Sequence, residues 1–161
     1  MKQPSKMGAL FFVACVLSIV AFPYNPLIGS GVLEPNDIEA LRYIGWIFWT
    51  VGIVLVILSY YYVYYRKVKV LIDRGVYAVV RHPLYLGWIL SIFVATALFY
   101  QHWVFVIIGM PGIACVYLIS AQEENRNVER FGYDYKRYMQ KVPRMNLLLG
   151  ITRLLRRRGN E

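Results

Sequence analysis

The sequence predicts an all-α polytopic membrane protein with about four transmembrane helices and a cytoplasmic carboxyl-terminal helical segment. Of its 161 residues, 58% are hydrophobic and only 17% are charged. A single small soluble domain cannot bury that much apolar surface, whereas a bilayer can accommodate it. The second observation is a series of four apolar runs, and the third is the alternation of basic and non-basic segments between them.

The apolar runs set the expected helix boundaries. A transmembrane helix needs roughly 17–25 residues, so one run is ample and three are short but adequate. Trp and Tyr at the run ends suit the head-group layer. The predicted helices are residues 7–22, 41–65, 84–100 and 103–120. Only Gln101 and His102 separate the last two runs, which predicts a tight hairpin.

The first run also resembles the start of a signal peptide. Lys2 and Lys6 precede it, as in a basic leader region. However, Phe22, Pro23 and Tyr24 stand where small residues would be needed for cleavage. We therefore expect the run to be retained as a helix.

The distribution of charge predicts the topology. The amino-terminal tail, the second loop (66–83) and the final segment (121–161) are mainly basic, whereas the first loop (23–40) has acids and no base. By the positive-inside rule, both termini and the second loop are cytoplasmic. The net charge of +9 is then explained by topology and lipid contact, so membrane lipids are the expected partners and nucleic acid is not.

We expect one domain, 1–161, with a cytoplasmic helical tail (121–161); the oligomeric state stays open. The tail should continue the fourth helix, break at Gly132, resume, and end at Pro143. Residues 147–158 place leucines and Ile151 beside four arginines, which predicts either a helix on an anionic membrane surface or a solvated basic tail. Cys15 and Cys115 lie in apolar runs without metal-ligand spacing, and no metal site is expected.

One candidate functional stretch, residues 75–87, lies at the start of the third helix. Arg81 and His82 directly precede Pro83, which suits the first turn of a helix. Exposed backbone N–H groups at that positive helix end favour an anion. Gly87, one turn in with Tyr85, would let a ligand or another helix approach closely. The alternative is an ordinary membrane boundary with a snorkelling Arg and an interfacial His–Tyr pair.

The second candidate stretch is the acidic pair Glu123 and Glu124 at the end of the fourth apolar run. Acids at the carboxyl end of a helix interact unfavourably with its dipole, which prefers bases there. A residue choice that is locally unfavourable indicates a functional role. Adjacent helix positions diverge by about 100°. One Glu can therefore face a ligand cation while the other pairs with a base such as Arg81 or Arg126. The alternative is a water-facing charge pair.

The two stretches together, RHPLYLG and EENRNVERFGYDYKRYMQKVPR, resemble the isoprenylcysteine carboxyl methyltransferase and phospholipid methyltransferase superfamily of membrane enzymes. The resemblance covers roughly 75–144. It implies S-adenosylmethionine as methyl donor, covered by the tail (121–161), and a lipidic or small hydrophobic acceptor. It also implies a cofactor pocket formed by His82, Pro83, Leu84, Tyr85, Gly87, Glu123 and Glu124.

The resemblance identifies the methyl acceptor less closely than the methyl donor. For carboxyl methyltransferases of this superfamily, the resemblance implies an Arg about one helical turn before the acidic pair. Residues 117–122 contain no base, which argues against a prenylcysteine carboxylate. Arg144 or Arg81 could substitute, and with Tyr85 they are the candidate catalytic residues. An amine acceptor would additionally need a group that takes a proton, such as His82, Tyr85 or an acid.

Two other function classes fit part of the pattern. Sterol reductases, which use NADPH, are similar in their carboxyl-terminal halves, but the acidic pair is unsuited to a cofactor bearing a 2′-phosphate. A non-catalytic scaffold that keeps the fold without the pocket is the third class. Cofactor binding distinguishes all three.

Overall fold

The computed structural model describes residues 38–65 and 71–159, and this part of the chain is helical, without β-strands. The helix predicted at 7–22 lies outside the described residues. The described helices are α1 (Glu39–Tyr65), α2 (Pro83–Tyr100), α3 (Trp103–Lys141) and α4 (Leu147–Arg158), with one 3₁₀ turn at Gly75–Ala78.

Three of these helices, α1 to α3, are long and apolar enough to cross a membrane. They confirm the all-α membrane fold and match the predicted runs, with α1 and α2 beginning one or two residues earlier than expected. At about 1.5 Å per residue, α3 is longer than the roughly 30 Å hydrocarbon core. The part of α3 after Ser120 therefore projects beyond the bilayer. Gly132 has non-helical angles (φ 56°, ψ −125°), so the predicted break occurs there.

The turn between α2 and α3 confirms the predicted hairpin. Gln101 adopts a left-handed conformation (φ 48°), and the His102 ring accepts a hydrogen bond from Val104 N at 3.2 Å. Gln101 also exchanges two hydrogen bonds with Ile38, of 2.9 and 2.8 Å, which tie the start of α1 to this turn. The end of α1, the start of α2 and the projecting part of α3 consequently gather at the opposite end of the bundle.

Helix α2 changes its winding partway along. It begins as an α-helix at Pro83, continues as a π-helix over Ile89–Val94 and returns to α-helix. In the π segment, Phe93 is 2% exposed and packs beside Gly109 and Gly112 of α3. A wider turn in a helix commonly occurs near functional sites. Here it fits a large aromatic ring against the glycine side of α3.

Helices α1 and α2 touch through their backbones at Gly52 and Gly87. A Cβ at Gly52 would lie 2.7 Å from Gly87 O, and one at Gly87 would lie 2.6 Å from Gly52 O. Only residues without a side chain permit this approach. Of the two uses that the sequence allowed for Gly87, the structure places it at a helix–helix contact.

This contact predicts that Gly87→Ala lowers the stability of the protein. The added methyl group must push the two backbones apart, and overpacking of this kind costs about 1–3 kcal/mol. Thermal unfolding in nanodiscs should show a lower Tm. Gly109→Ala is the matched control, since a Cβ there would make only ordinary contacts, the nearest 3.6 Å from Phe93 Cβ. Equal losses in both variants would contradict the proposed collision.

Candidate active site

A cavity of about 320 Å³ lies at the end of the bundle where α1 ends and α2 begins. Its walls come from the end of α1, the segment before α2, the first turn of α2 and the projecting part of α3. The lining residues are Val63, Leu71, Ile72, Tyr77, Arg81, His82, Pro83, Leu84, Tyr85, Glu123, Asn127, Arg130, Phe131, Tyr135 and Tyr138.

Behind the cavity wall, Glu124 is the centre of a buried ion cluster. It is 2% exposed and accepts two hydrogen bonds from Arg144, one of them from Nε at 3.0 Å. His82 Nε2 lies 3.3 Å from Glu124 Oε1, and Arg81 Nη1 lies 3.2 Å from the same oxygen. Burial alone would raise the pKa of Glu124, but the hydrogen bonds from His82 and Arg144 and the charge of Arg81 lower it to about 2. Glu124 is therefore ionised at neutral pH.

Two nitrogen atoms of Arg81 have no hydrogen-bond acceptor among the described residues of this cluster. Its side chain is 9% exposed and it lines the cavity. Its contact with Glu124 lacks hydrogen-bond alignment, and neither Nε nor Nη1 has a hydrogen-bond partner within the described part of the chain. A buried guanidinium with unused donors is costly, because each polar group loses its water without compensation. An anionic group in the cavity would satisfy it.

Glu123 lines the cavity, whereas Glu124 does not. The Glu123 side chain is 38% exposed and lines the cavity together with Tyr85. It also lies 3.9 Å from His82 Nδ1. The adjacent acids thus point in different directions, as the helical rotation of about 100° per residue requires. Of the two bases suggested for the buried acid, Arg81 is the one in contact with Glu124.

The segment after α3 brings Arg144 to the cluster. Arg81 N donates to Pro143 O at 3.0 Å, and His82 N donates to Arg144 O at 3.2 Å, so this segment runs beside the residues that precede α2. The Arg144 guanidinium lies 4.8 Å from the centre of the Tyr117 ring. Its hydrogen bonds to Glu124 raise the pKa of Arg144, which stays cationic.

Aromatic residues of α3 form much of the opposite lining. Tyr135 and Tyr138 are 3% and 7% exposed, and the Tyr138 hydroxyl donates to Tyr77 O at 2.6 Å. The Tyr77 hydroxyl is in turn hydrogen-bonded to Ser59 at 2.7 Å. Burial raises the pKa of Tyr77, so its hydroxyl remains protonated. These bonds attach the 3₁₀ turn to α1 and α3 and fix one wall of the cavity.

The structure brings most of the predicted site residues together. Arg81, His82, Pro83, Leu84, Tyr85 and Glu123 line the cavity, Glu124 and Arg144 form the cluster behind it, and Gly87 lies against α1. Tyr133, which belongs to the second stretch that carries the family resemblance, is 77% exposed and lies outside the lining. Within the described residues, no group of three or more His, Cys, Asp or Glu could hold a metal ion.

Sequence reasoning missed several lining residues. Asn127 and Arg130 are four and seven positions after Glu123, so they recur at the spacing of one helix face, which could have identified them. Tyr77, Leu71 and Ile72 lie in irregular chain, where no periodicity indicates a side-chain direction.

Comparison with known proteins identifies the family. A family model described as phospholipid methyltransferase matches residues 40–134, more than half of the chain. The match includes the lining from α2 and the acidic pair, and ends before Arg144. Comparison with curated proteins and with solved structures gives no match. The chain therefore belongs to the phospholipid methyltransferase family and is an integral membrane protein of a methyltransferase superfamily.

Proposed function

We propose that this protein is a membrane methyltransferase that binds S-adenosylmethionine in the cavity beside Arg81 and Glu123. Membership of the family supports methyl transfer. The observation that supports the location is the pairing of opposite charges in one cavity. A partly exposed carboxylate and a buried guanidinium with unused donors both line it, together with aromatic rings.

The lining suits the chemical groups of the donor. S-adenosylmethionine carries sulfonium and ammonium cations, a carboxylate and an adenine ring, and it supplies an electrophilic methyl group. The Glu123 carboxylate suits a cation, and the free donors of Arg81 suit a carboxylate. Phe131 and Tyr135 offer faces for a flat ring. His82, Pro83, Leu84 and Tyr85 complete the same wall.

Three predicted site residues do not line the cavity but hold its lining in place: Glu124, Arg144 and Gly87. Glu124 holds Arg81 and His82 in place through its carboxylate, and Arg144 is the second guanidinium partner of that carboxylate. Gly87 lets α2 lie against α1, which sets the position of the first turn of α2. We assign these three as positioning residues. Arg81 and Tyr85 remain the candidates for direct contact with reacting groups.

We propose a lipidic acceptor that enters from the side of the bundle. Val63 and Leu84 line the cavity, yet 46% of Val63 and 40% of Leu84 are exposed. Both belong to helices that can cross the membrane, so their exposed surfaces suit contact with acyl chains. The match to a phospholipid methyltransferase model supports this class of acceptor.

The cavity lining is compatible with two kinds of methyl acceptor, which differ in whether a proton must be removed. A carboxylate acceptor requires no base, and a site poor in water favours the loss of charge on reaction. An amine acceptor must lose a proton, and Glu123 and His82 are the lining groups that can take it. Tyr85 lines the same cavity as both of these groups.

We further propose that the cavity opens toward the cytoplasm and that the chain forms one domain with both termini on that side. The basic segments before α2 and after α3 meet at the cavity end of the bundle, which the positive-inside rule favours as cytoplasmic. S-adenosylmethionine, a soluble donor, would then reach the site directly.

The proposal is tested by titrating the full chain in nanodiscs with S-adenosylmethionine and with NADPH, using calorimetry. We expect saturable binding of S-adenosylmethionine and no heat from NADPH. Binding of NADPH alone would replace the methyltransferase with a reductase. Binding of neither would identify a scaffold that keeps the fold without the activity.

A further inference from the structure

Helix α4 is attached to the bundle along one narrow face. Gly150 is buried, and a Cβ at this position would overlap the carbonyl of Val79. Leu147 packs against the buried cluster of Leu55, Val80 and Leu86. This attachment fixes both the position of α4 and its rotation about its own axis.

A second face of α4 is apolar and exposed. Leu148, Ile151 and Leu155 are 77%, 40% and 62% exposed. At about 100° per residue they lie within roughly 60° of one another, so they form one stripe. Arg156 and Arg153 are exposed about 80° and about 140° around the helix from Leu148, on its polar side. The helix contains no acidic residue.

The attachment point indicates what covers the apolar stripe. Leu55 and Leu86, which hold Leu147, belong to α1 and α2 and lie within their candidate membrane spans. Helix α4 therefore begins beside the membrane-crossing helices, next to the first turn of α2. An apolar stripe at that level meets acyl chains, while long arginine side chains on the polar side of the helix reach the head-group layer.

We propose that α4 is an interfacial helix that binds the anionic head groups of the surrounding lipid. Its leucine stripe lies in the boundary of the acyl chains, and Arg153 and Arg156 contact lipid phosphates. This decides between the two alternatives that the sequence left open for this segment, and it goes beyond the binding of donor and acceptor. A purely solvated basic tail would not be held against the membrane-crossing helices by Gly150 and Leu147.

The test uses the full chain in uncharged detergent micelles. Leu155→Cys, in a background of Cys15→Ala and Cys115→Ala, carries an environment-sensitive fluorophore. Titration with short-chain phosphatidylglycerol should shift its emission to the blue at saturation, and short-chain phosphatidylcholine should do so only weakly. Each base near an anionic surface contributes about fivefold in binding, so Arg153→Gln with Arg156→Gln should weaken phosphatidylglycerol binding roughly 25-fold.

Arg126→Gln with Lys136→Gln, two exposed bases on α3, is the matched control and should leave the affinity unchanged. An equal response to both lipids, or an equal loss in the control, would overturn the proposal. An emission shift that depends on protein concentration and not on lipid would also overturn it, and would indicate that a second copy covers the stripe. These readouts do not depend on methyl transfer.

Discussion

Replacing Glu124 by alanine is expected to cost the protein a large part of its stability. Glu124 is 2% exposed and is the carboxylate that faces Arg81, His82 and Arg144. Its removal leaves the buried Arg81 guanidinium without a counter-charge. Breaking a buried ion pair from one side typically costs about 3–5 kcal/mol, and the partial exposure of Arg144 favours the lower end.

Chemical or thermal unfolding in nanodiscs measures this loss. Glu129→Ala is the control, because Glu129 is an exposed acid on the same helix. Glu124→Gln, which keeps the shape and loses the charge, should fall between alanine and the native protein. If Glu124→Ala were as stable as Glu129→Ala, the ion cluster would not hold the site together.

The second large effect is expected from Glu123→Gln, and it concerns binding and not stability. The side chain of Glu123 is 38% exposed and faces the cavity, so the protein folds without its charge. If this carboxylate holds a cationic group of S-adenosylmethionine, its loss removes a charged hydrogen bond of about 1.5–3 kcal/mol. The affinity should fall roughly 10- to 100-fold.

Calorimetric titration with S-adenosylmethionine measures this change, and Glu129→Gln on the same helix is the control. An unfolding curve recorded in parallel should match that of the native protein. An unchanged affinity would remove Glu123 from the donor site. The contrast with Glu124 is informative, because neighbouring acids would then have separable roles, one in binding and one in positioning.

The helices were predictable because a bilayer imposes a simple rule. Every backbone polar group inside it must be satisfied within the segment, so an apolar run of sufficient length becomes a helix. The break at Gly132 was predictable for a similarly local reason, since glycine readily adopts the positive φ found there. The π segment of α2 was not, because it depends on how Phe93 fits against α3.

The sequence predicted which residues form the candidate site better than it predicted what each of them does. The family resemblance implied that Glu123 and Glu124 both bind the cofactor, but helical rotation predicted different directions for them, and the structure turns one to the cavity and the other to a buried cluster. The contact of Arg144 with that cluster joins residues 20 positions apart through an irregular segment. No local pattern specifies such a contact, because it arises from the backbone hydrogen bonds between the segment and the residues before α2.

The position of Arg144 after α3 has a consequence for how the protein is made. During synthesis from the amino end, Glu124 leaves the ribosome before Arg144. Until the later segment arrives and pairs with Arg81 and His82, the buried carboxylate lacks one of its two guanidinium partners. The membrane-crossing helices can therefore be in place while the site is still immature. The site is therefore complete only after a segment outside those helices has been synthesised and has folded back beside the residues that precede α2.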